Sequence, residues 1–188
     1  PRIPLLWPTM KGPTWPPSGR VLISTDLPGG TLTDTEIALY EEPTDCTDAS
    51  TMGAFVAFDQ DGGDLVNFNS VILAGGLVPG NTYYIQVDEW VSGSNINQEG
   101  TFGIEIQEAV ANVQIIHNSA DPSAQFVDVY VNDVLELDDF EFRTATPFVQ
   151  LPAGEDVSID IAPGTSSDSS ESEYNLTTTL DIGETYIA

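Results

Sequence analysis

The only histidine of the chain, His117, opens the stretch HNSADPSAQFVDVYVND, where Asp121, Asp128 and Asp133 follow it closely. A histidine among carboxylates invites a hydrolytic reading. Acyl transfer would require a Ser or Cys nucleophile held against the imidazole, and no nucleophile-elbow pattern occurs in the sequence. Zinc would require several nitrogen or sulfur ligands, whereas the chain has one His and one Cys, Cys46. His117 is therefore read as a strand-end residue whose ring bonds the SADPS loop or Asp128 and fixes a corner. Ligand binding is the alternative.

A second constellation is FDQDGGD, which sets Asp59, Asp61 and Asp64 around a glycine-bearing turn. Hard cations such as calcium take clustered carboxylate oxygens. The loop is not an EF-hand, which is longer and ends in a bidentate Glu. Asp26 and Asp34 would complete such a calcium site if their loops reach the same end of the fold. The competing reading is an ordinary Asp-Gly turn on a solvated edge. No other cofactor is expected. Carboxylate pairs suited to glycoside hydrolysis cannot be singled out among 30 acidic residues. Trp90 with Tyr83 and Tyr84 is a candidate stacking platform for a surface glycan, with a place in the core as the alternative. The sequon NLT at Asn175 is a glycosylation acceptor by pattern only.

These residues sit on short runs of β type: RVLIST, TEIALY, GAFVAFD, NSVILAGG, TYYIQVDEW and TFGIEIQ, then VQIIHN, FVDVYVN, TPFVQLPAG, DVSIDIAPG, YNLTTTLDIG and TYIA. Tyr83, Ile85 and Val87 alternate with Tyr84, Gln86 and Asp88, which predicts one dry and one wet face; Val157, Ile159 and Ile161 do the same against Ser158 and Asp160. Gly, Pro, Asn and Asp in LPGG, QDGG, VPGN and SGSN supply the turns. No long segment has helical period. The polar stretch GTSSDSSESEYN is expected to be a mobile loop.

The expected fold is all-β: two tandem antiparallel β-sandwiches, jelly-roll-like then immunoglobulin-like, after an extended proline-rich arm. The arm spans 1–19, the first sandwich 20–109 and the second 110–188. The join near Ala109 to Asn112 lacks Gly, Pro and Ser, which predicts a stiff connection. Residues 1–19 hold six of 13 prolines and two of three tryptophans, so they should run extended. Ile3, Leu5, Trp7 and Trp15 are costly to leave in water. They are expected to dock on the chain's own sandwich or on a neighbouring copy, with self-association favoured.

Charge restricts the partners. Against 30 Asp and Glu stand four Lys and Arg, a formal charge of -26, with 15 acidic residues before Ala111 and 15 from there on. Phosphate backbones need a basic surface, so nucleic acid is excluded as a partner. Self-repulsion on this scale suits a medium where salt or divalent cations screen it, or a merely acidic secreted protein. No run reaches the roughly 18 apolar residues that span a bilayer, so helical membrane insertion is not expected. The sequence lacks an initiator Met and a signal peptide, as in a processed protein or a portion of a longer one. Cys46 is unpaired within the chain.

VQIIHNSADPSAQFVDVYVND, FRTATPFVQLPAG and the terminal TTTLDIGETYIA stand in the order and spacing of the extracellular domain-of-unknown-function family 4397, which residues 112–188 resemble. Asp133 stands where that family often has a turn glycine. TDTEIALYE, FDQDGG, NSVI, LVPGNTYYIQVDEW and GTFGIEI resemble secreted β-sandwich domains of the bacterial pre-peptidase C-terminal type, over residues 20–107. Both resemblances imply surface or secreted proteins of prokaryotes, in which such domains act as adhesive, spacer or accessory units. The expected function is a non-enzymatic extracellular structural module of a cell-surface protein, adhesin or filament. The alternative is a carbohydrate- or calcium-binding accessory region of a secreted hydrolase.

Overall fold

The computed structural model describes residues 9–10, 18–42, 51, 53–66, 68–91 and 99–188. Ile3, Leu5, Trp7, Trp15 and Cys46 lie outside the described residues. The chain divides into two compact units, Pro1–Glu108 and Ala109–Ala188, each built from two sheets.

In the first unit, one sheet has the order β1 (Thr9–Met10), β6 (Tyr83–Glu89), β3 (Thr35–Glu41), β4 (Phe55–Asp59), and the other β5 (Val71–Ala74), β2 (Val21–Ser24), β7 (Glu105–Glu108). All these pairings are antiparallel. The predicted alternation on β6 directs Tyr83, Ile85 and Val87 into a core shared with Val21, Ile23, Ile37 and Leu39. Tyr84, on the face expected to be wet, is also buried. It stands opposite Tyr40 of β3, and large cross-strand neighbours cover one another.

In the second unit, the larger sheet has the order β10 (Val134–Glu141), β9 (Phe126–Val131), β12 (Asp156–Pro163), β13 (Tyr174–Thr179). The smaller has the order β11 (Val149–Pro152), β8 (Val110–Gln114), β14 (Thr185–Ile187). The expectation of purely antiparallel pairing fails at one place: β14 runs parallel to β8. Val113, Val131, Leu151, Val157 and Leu180 form the core between the sheets.

β9 and β10 are joined through Asn132 and Asp133, whose φ values are 49° and 64°. Positive φ at both central residues is the geometry of a type I′ hairpin, whose twist matches that of the strands. Asx side chains tolerate this conformation, which explains how Asp133 stands where a glycine is common. Asn132 Oδ1 accepts from Ser158 N at 3.0 Å, and Asp133 Oδ1 from Ser169 Oγ at 2.5 Å, so both turn residues also tie down neighbours.

The stretch GTSSDSSESEYN, expected to be a mobile loop, has a defined internal bonding pattern. It forms a 3₁₀ turn over Ser169–Glu171 capped by Asp168. Ser166 Oγ donates to Asp128 and Ser167 Oγ to Glu171, so its serines are spent on carboxylates. These bonds offset the ordering entropy that a polar loop would otherwise retain.

Candidate functional site

The acidic end of the first unit is assembled by strand termini. Asp26 follows β2, Asp34 precedes β3, Asp59 ends β4, and Asp61 and Asp64 lie in the loop before β5. The antiparallel registers Ser24↔Val71 and Ile37↔Asp59 bring these ends together, so the five residues share one end of the sandwich. A buried polar group underlies them. Thr25 Oγ1 and Thr35 Oγ1, from the two sheets, are 2.6 Å apart, Ser70 N donates to Thr25 Oγ1 at 3.1 Å, and Asn69 Nδ2 donates to Thr25 O at 3.0 Å. Sequence reading passed over Thr25, Thr35, Asn69 and Ser70; their only signal is a cluster of small polar residues at strand ends, which also describes an exposed turn.

The carboxylates there have different employment. Asp26 accepts the backbone N–H groups of Asp64, Leu65 and Val66 at 2.7, 2.7 and 2.5 Å. Burial pushes its carboxyl up, but the bonds from Leu65, Val66 and Asp64 outweigh it and hold the pKa below the ordinary value. Asp59 Oδ2 accepts Gly62 N and Val71 N, both at 2.8 Å. The two glycines of the loop follow from this. A Cβ on Gly62 would lie 2.6 Å from Asp59 Oδ2, and one on Gly63 would lie 2.8 Å from the Asp26 carboxyl carbon. Asp34 is the exception, since its Oδ1 is buried without a hydrogen-bond partner. Burial, then the charge of Asp61, raises its pKa. Among the described residues no group of three or more His, Cys, Asp or Glu is arranged to hold a metal ion.

His117 sits where the second unit turns a corner. Its Nε2 lies 2.7 Å from Ala124 O, its backbone N donates to Thr144 O at 3.0 Å, and its carbonyl accepts Arg143 N at 2.8 Å. Phe140 and Phe142 contact the ring with centroids at 5.9 and 6.0 Å. The partner is thus the residue after the SADPS loop. Asp128 faces the opposite side of the sheet, where it accepts Asp139 N and the Ser166 hydroxyl while Tyr130 Oη meets the same hydroxyl at 2.9 Å.

Beside His117 opens a cleft of about 500 Å³. The larger sheet carries its apolar inner face onward through Val129 and Val127 on β9 and Ile161 on β12, while β8 in the facing sheet ends at Gln114. The 117–125 loop only partly replaces the missing cover. Ile116 and Tyr174 flank the opening, 44% and 60% exposed, and the exposed carboxylates of Asp121 and Glu173 stand at its rim. Asp121 caps a 3₁₀ turn by accepting Ser123 N and Oγ, which holds its carboxyl below the ordinary value. Sequence reading did not find this cleft, because its lining residues alternate as any core strand does.

Two other candidates have definite places. Tyr83 and Tyr84 are 3% and 8% exposed, so the pair lies in the core and forms no stacking platform with Trp90. Asn175 Nδ2, the atom a glycan would occupy, donates to Asp160 Oδ1 at 2.6 Å and Ser158 Oγ at 3.1 Å. Asp160 is 6% exposed. Bonds from Ser158 and Asn175 lower its pKa against the opposing effect of burial, with a further bond from Ser172.

Comparison with known families agrees with the second unit. Residues 111–186 match the family described as a domain of unknown function, DUF4397. The C-terminal part of the chain is therefore similar to that family. No curated protein and no solved structure matches the chain.

Proposed function

We propose that the chain is a non-enzymatic structural module of a secreted or cell-surface prokaryotic protein, acting in adhesion or in a filament and associating with further copies through residues 1–19. The observation that carries the reading is the employment of His117. A general base must present a ring nitrogen to a reacting group. Here Nε2 must donate to Ala124 O at 2.7 Å, which leaves Nδ1 as the basic nitrogen, but the ring is packed against two phenylalanines and, among the described residues, no Ser, Thr or Cys side chain is hydrogen-bonded to it. Asp26 and Asp59 are likewise spent on backbone N–H groups. The described part of the arm, Thr9–Met10, adds a strand along β6 of its own chain at a sheet edge, so the arm has the backbone geometry that strand addition needs, whichever copy the residues before it reach. The resemblance of residues 20–107 to pre-peptidase C-terminal domains points to the same secreted setting. A screen on ester, peptide and glycan substrates should be blank, and His117→Ala should lower stability only. Turnover abolished by that substitution refutes the reading.

A second reading, a calcium-binding accessory region, is favoured by the unpartnered Asp34 Oδ1 close to Asp61. Melting curves with calcium, magnesium and sodium at equal ionic strength separate site binding from screening. A calcium-specific rise that disappears in Asp34→Asn supports this reading; equal effects of calcium and magnesium refute it.

A further inference from the structure

The cleft beside His117 is an apolar concavity of the second unit whose opening is flanked by exposed large side chains, Ile116 and Tyr174, and its volume of about 500 Å³ is that of a ligand pocket. Its wall carries the aromatic rings of His117, Phe140 and Tyr174. Grooves lined in this way take proline-rich segments, whose extended form is already set before binding. Its rim is acidic, through Asp121 and Glu173. The expected occupant is therefore apolar, proline-rich and cationic.

The chain itself contains such a segment. Residues 1–25 have no Asp or Glu, yet hold three of the four basic residues, Arg2, Lys11 and Arg20. Within them, PRIPLLWP at 1–8 combines Arg2 with Ile3, Leu5, Leu6, Trp7 and three prolines. Everything from Asp26 onward is acidic, with 30 carboxylates against Arg143. The charges of the two ends are complementary, and the opposed fields would steer them together.

We propose that the cleft of the C-terminal unit receives residues 1–8 of a second copy of this chain. Thr9–Met10 pairs with β6 of the first unit, whereas the cleft belongs to the second. Unlike surfaces then meet, the contact is heterologous, and copies add head to tail until a ring closes or a fibre grows. Leu5, Leu6 and Trp7 match the apolar floor in chemistry, and the charge of Arg2 is complementary to the Asp121 and Glu173 rim. This proposal rests on the self-association reading and names its receptor.

The test uses the full chain, with mass followed by light scattering across a range of concentrations, and a synthetic peptide of residues 1–8 as competitor. His117, the single histidine, provides an imidazole NMR reporter inside the cleft. Expected results are assemblies that shrink on adding peptide, a saturable shift of the His117 resonances, and loss of assembly in Tyr174→Glu or Ile116→Glu, both exposed positions. A Trp7→Ala peptide should bind about tenfold more weakly, the loss expected of a buried aromatic anchor. Assemblies that vanish on deleting residues 1–17 but survive both rim substitutions overturn the cleft as receptor and leave self-association standing. A peptide that shifts His117 while the full chain stays monomeric overturns the second copy in favour of the chain's own arm. A monomeric chain whose His117 ignores the peptide overturns both.

Discussion

Replacing Asp26 by Ala should unfold the acidic end of the first unit before anything else. Three backbone N–H groups converge on this carboxylate at 2.7, 2.7 and 2.5 Å, and the residue is 7% exposed. Hydrogen bonds to a charged group contribute about 1.5–3 kcal/mol each, and more is lost when donors are left buried. Asp64 and Leu65 are exposed, so water takes over much of two of the three bonds. The net loss is therefore about 3 kcal/mol, and roughly half that for Asp26→Asn, which keeps one acceptor oxygen. For a domain of this size about 3 kcal/mol corresponds to roughly 10–20 °C in Tm. Calorimetry should show the transition of the first unit falling by that amount while the second is unchanged. The pH dependence has a definite sign. The folded pKa lies below the unfolded one, so the stabilisation is present above the ordinary carboxylate pKa and is lost as pH falls through the folded value. The difference between wild type and Asp26→Asn should therefore shrink in acid. A Tm change under 2 °C for Asp26→Ala at neutral pH, or a difference that grows in acid, would refute the reasoning.

Asp34→Asn should act oppositely: its folded pKa is raised, so the acid form favours folding below the unfolded pKa and that advantage is lost as pH rises through the folded value. The variant should be more stable than wild type at pH 7 and equal to it near pH 3, as melting curves at the two pH values will show. Gly62→Ala should cost about 1–3 kcal/mol in urea titrations, because its Cβ would lie 2.6 Å from Asp59 Oδ2 and overpacking costs on that order; Asp59→Ala combined with it should cost less than the sum of the two. Expression in a glycosylating host should leave Asn175 unmodified on the folded chain, checked by intact mass, since Nδ2 is bonded to Asp160 and Ser158.

The strands that carry a clean two-residue period were legible. In β6 and β12 apolar and polar residues alternate between turn signals, which sets Tyr83, Ile85, Val87 and Val157 toward the cores, but Tyr84 and Asp160, on the faces expected to be wet, are buried too. β10 was missed for a physical reason. VLELDDFE exposes most of its side chains, carries four carboxylates and breaks register twice, with Asp139 at a φ of 52°. Its partner β9 supplies the pairing that its own pattern does not advertise. Long-range partners were equally invisible. That Asp128 would face Ser166 and Asp160 would face Asn175 depends on which strands become neighbours, and residue type gives no hint of that. The FDQDGGD loop shows the same limit: clustered carboxylates beside glycines describe both a cation loop and a loop whose own N–H groups are served by acids. Only the backbone N–H bonds to Asp26 and Asp59, and the lack of room for a Cβ at Gly62 and Gly63, reveal the second arrangement.

The most direct test of the central claim, a structural module that assembles through its N-terminal segment, is the mass of the full chain against a variant lacking residues 1–17. Light scattering over a wide concentration range should give oligomers that grow with concentration for the full chain and a single mass of one copy for the deletion. A full-length chain that is monomeric at every concentration, or oligomers that persist unchanged in the deletion, would contradict the account.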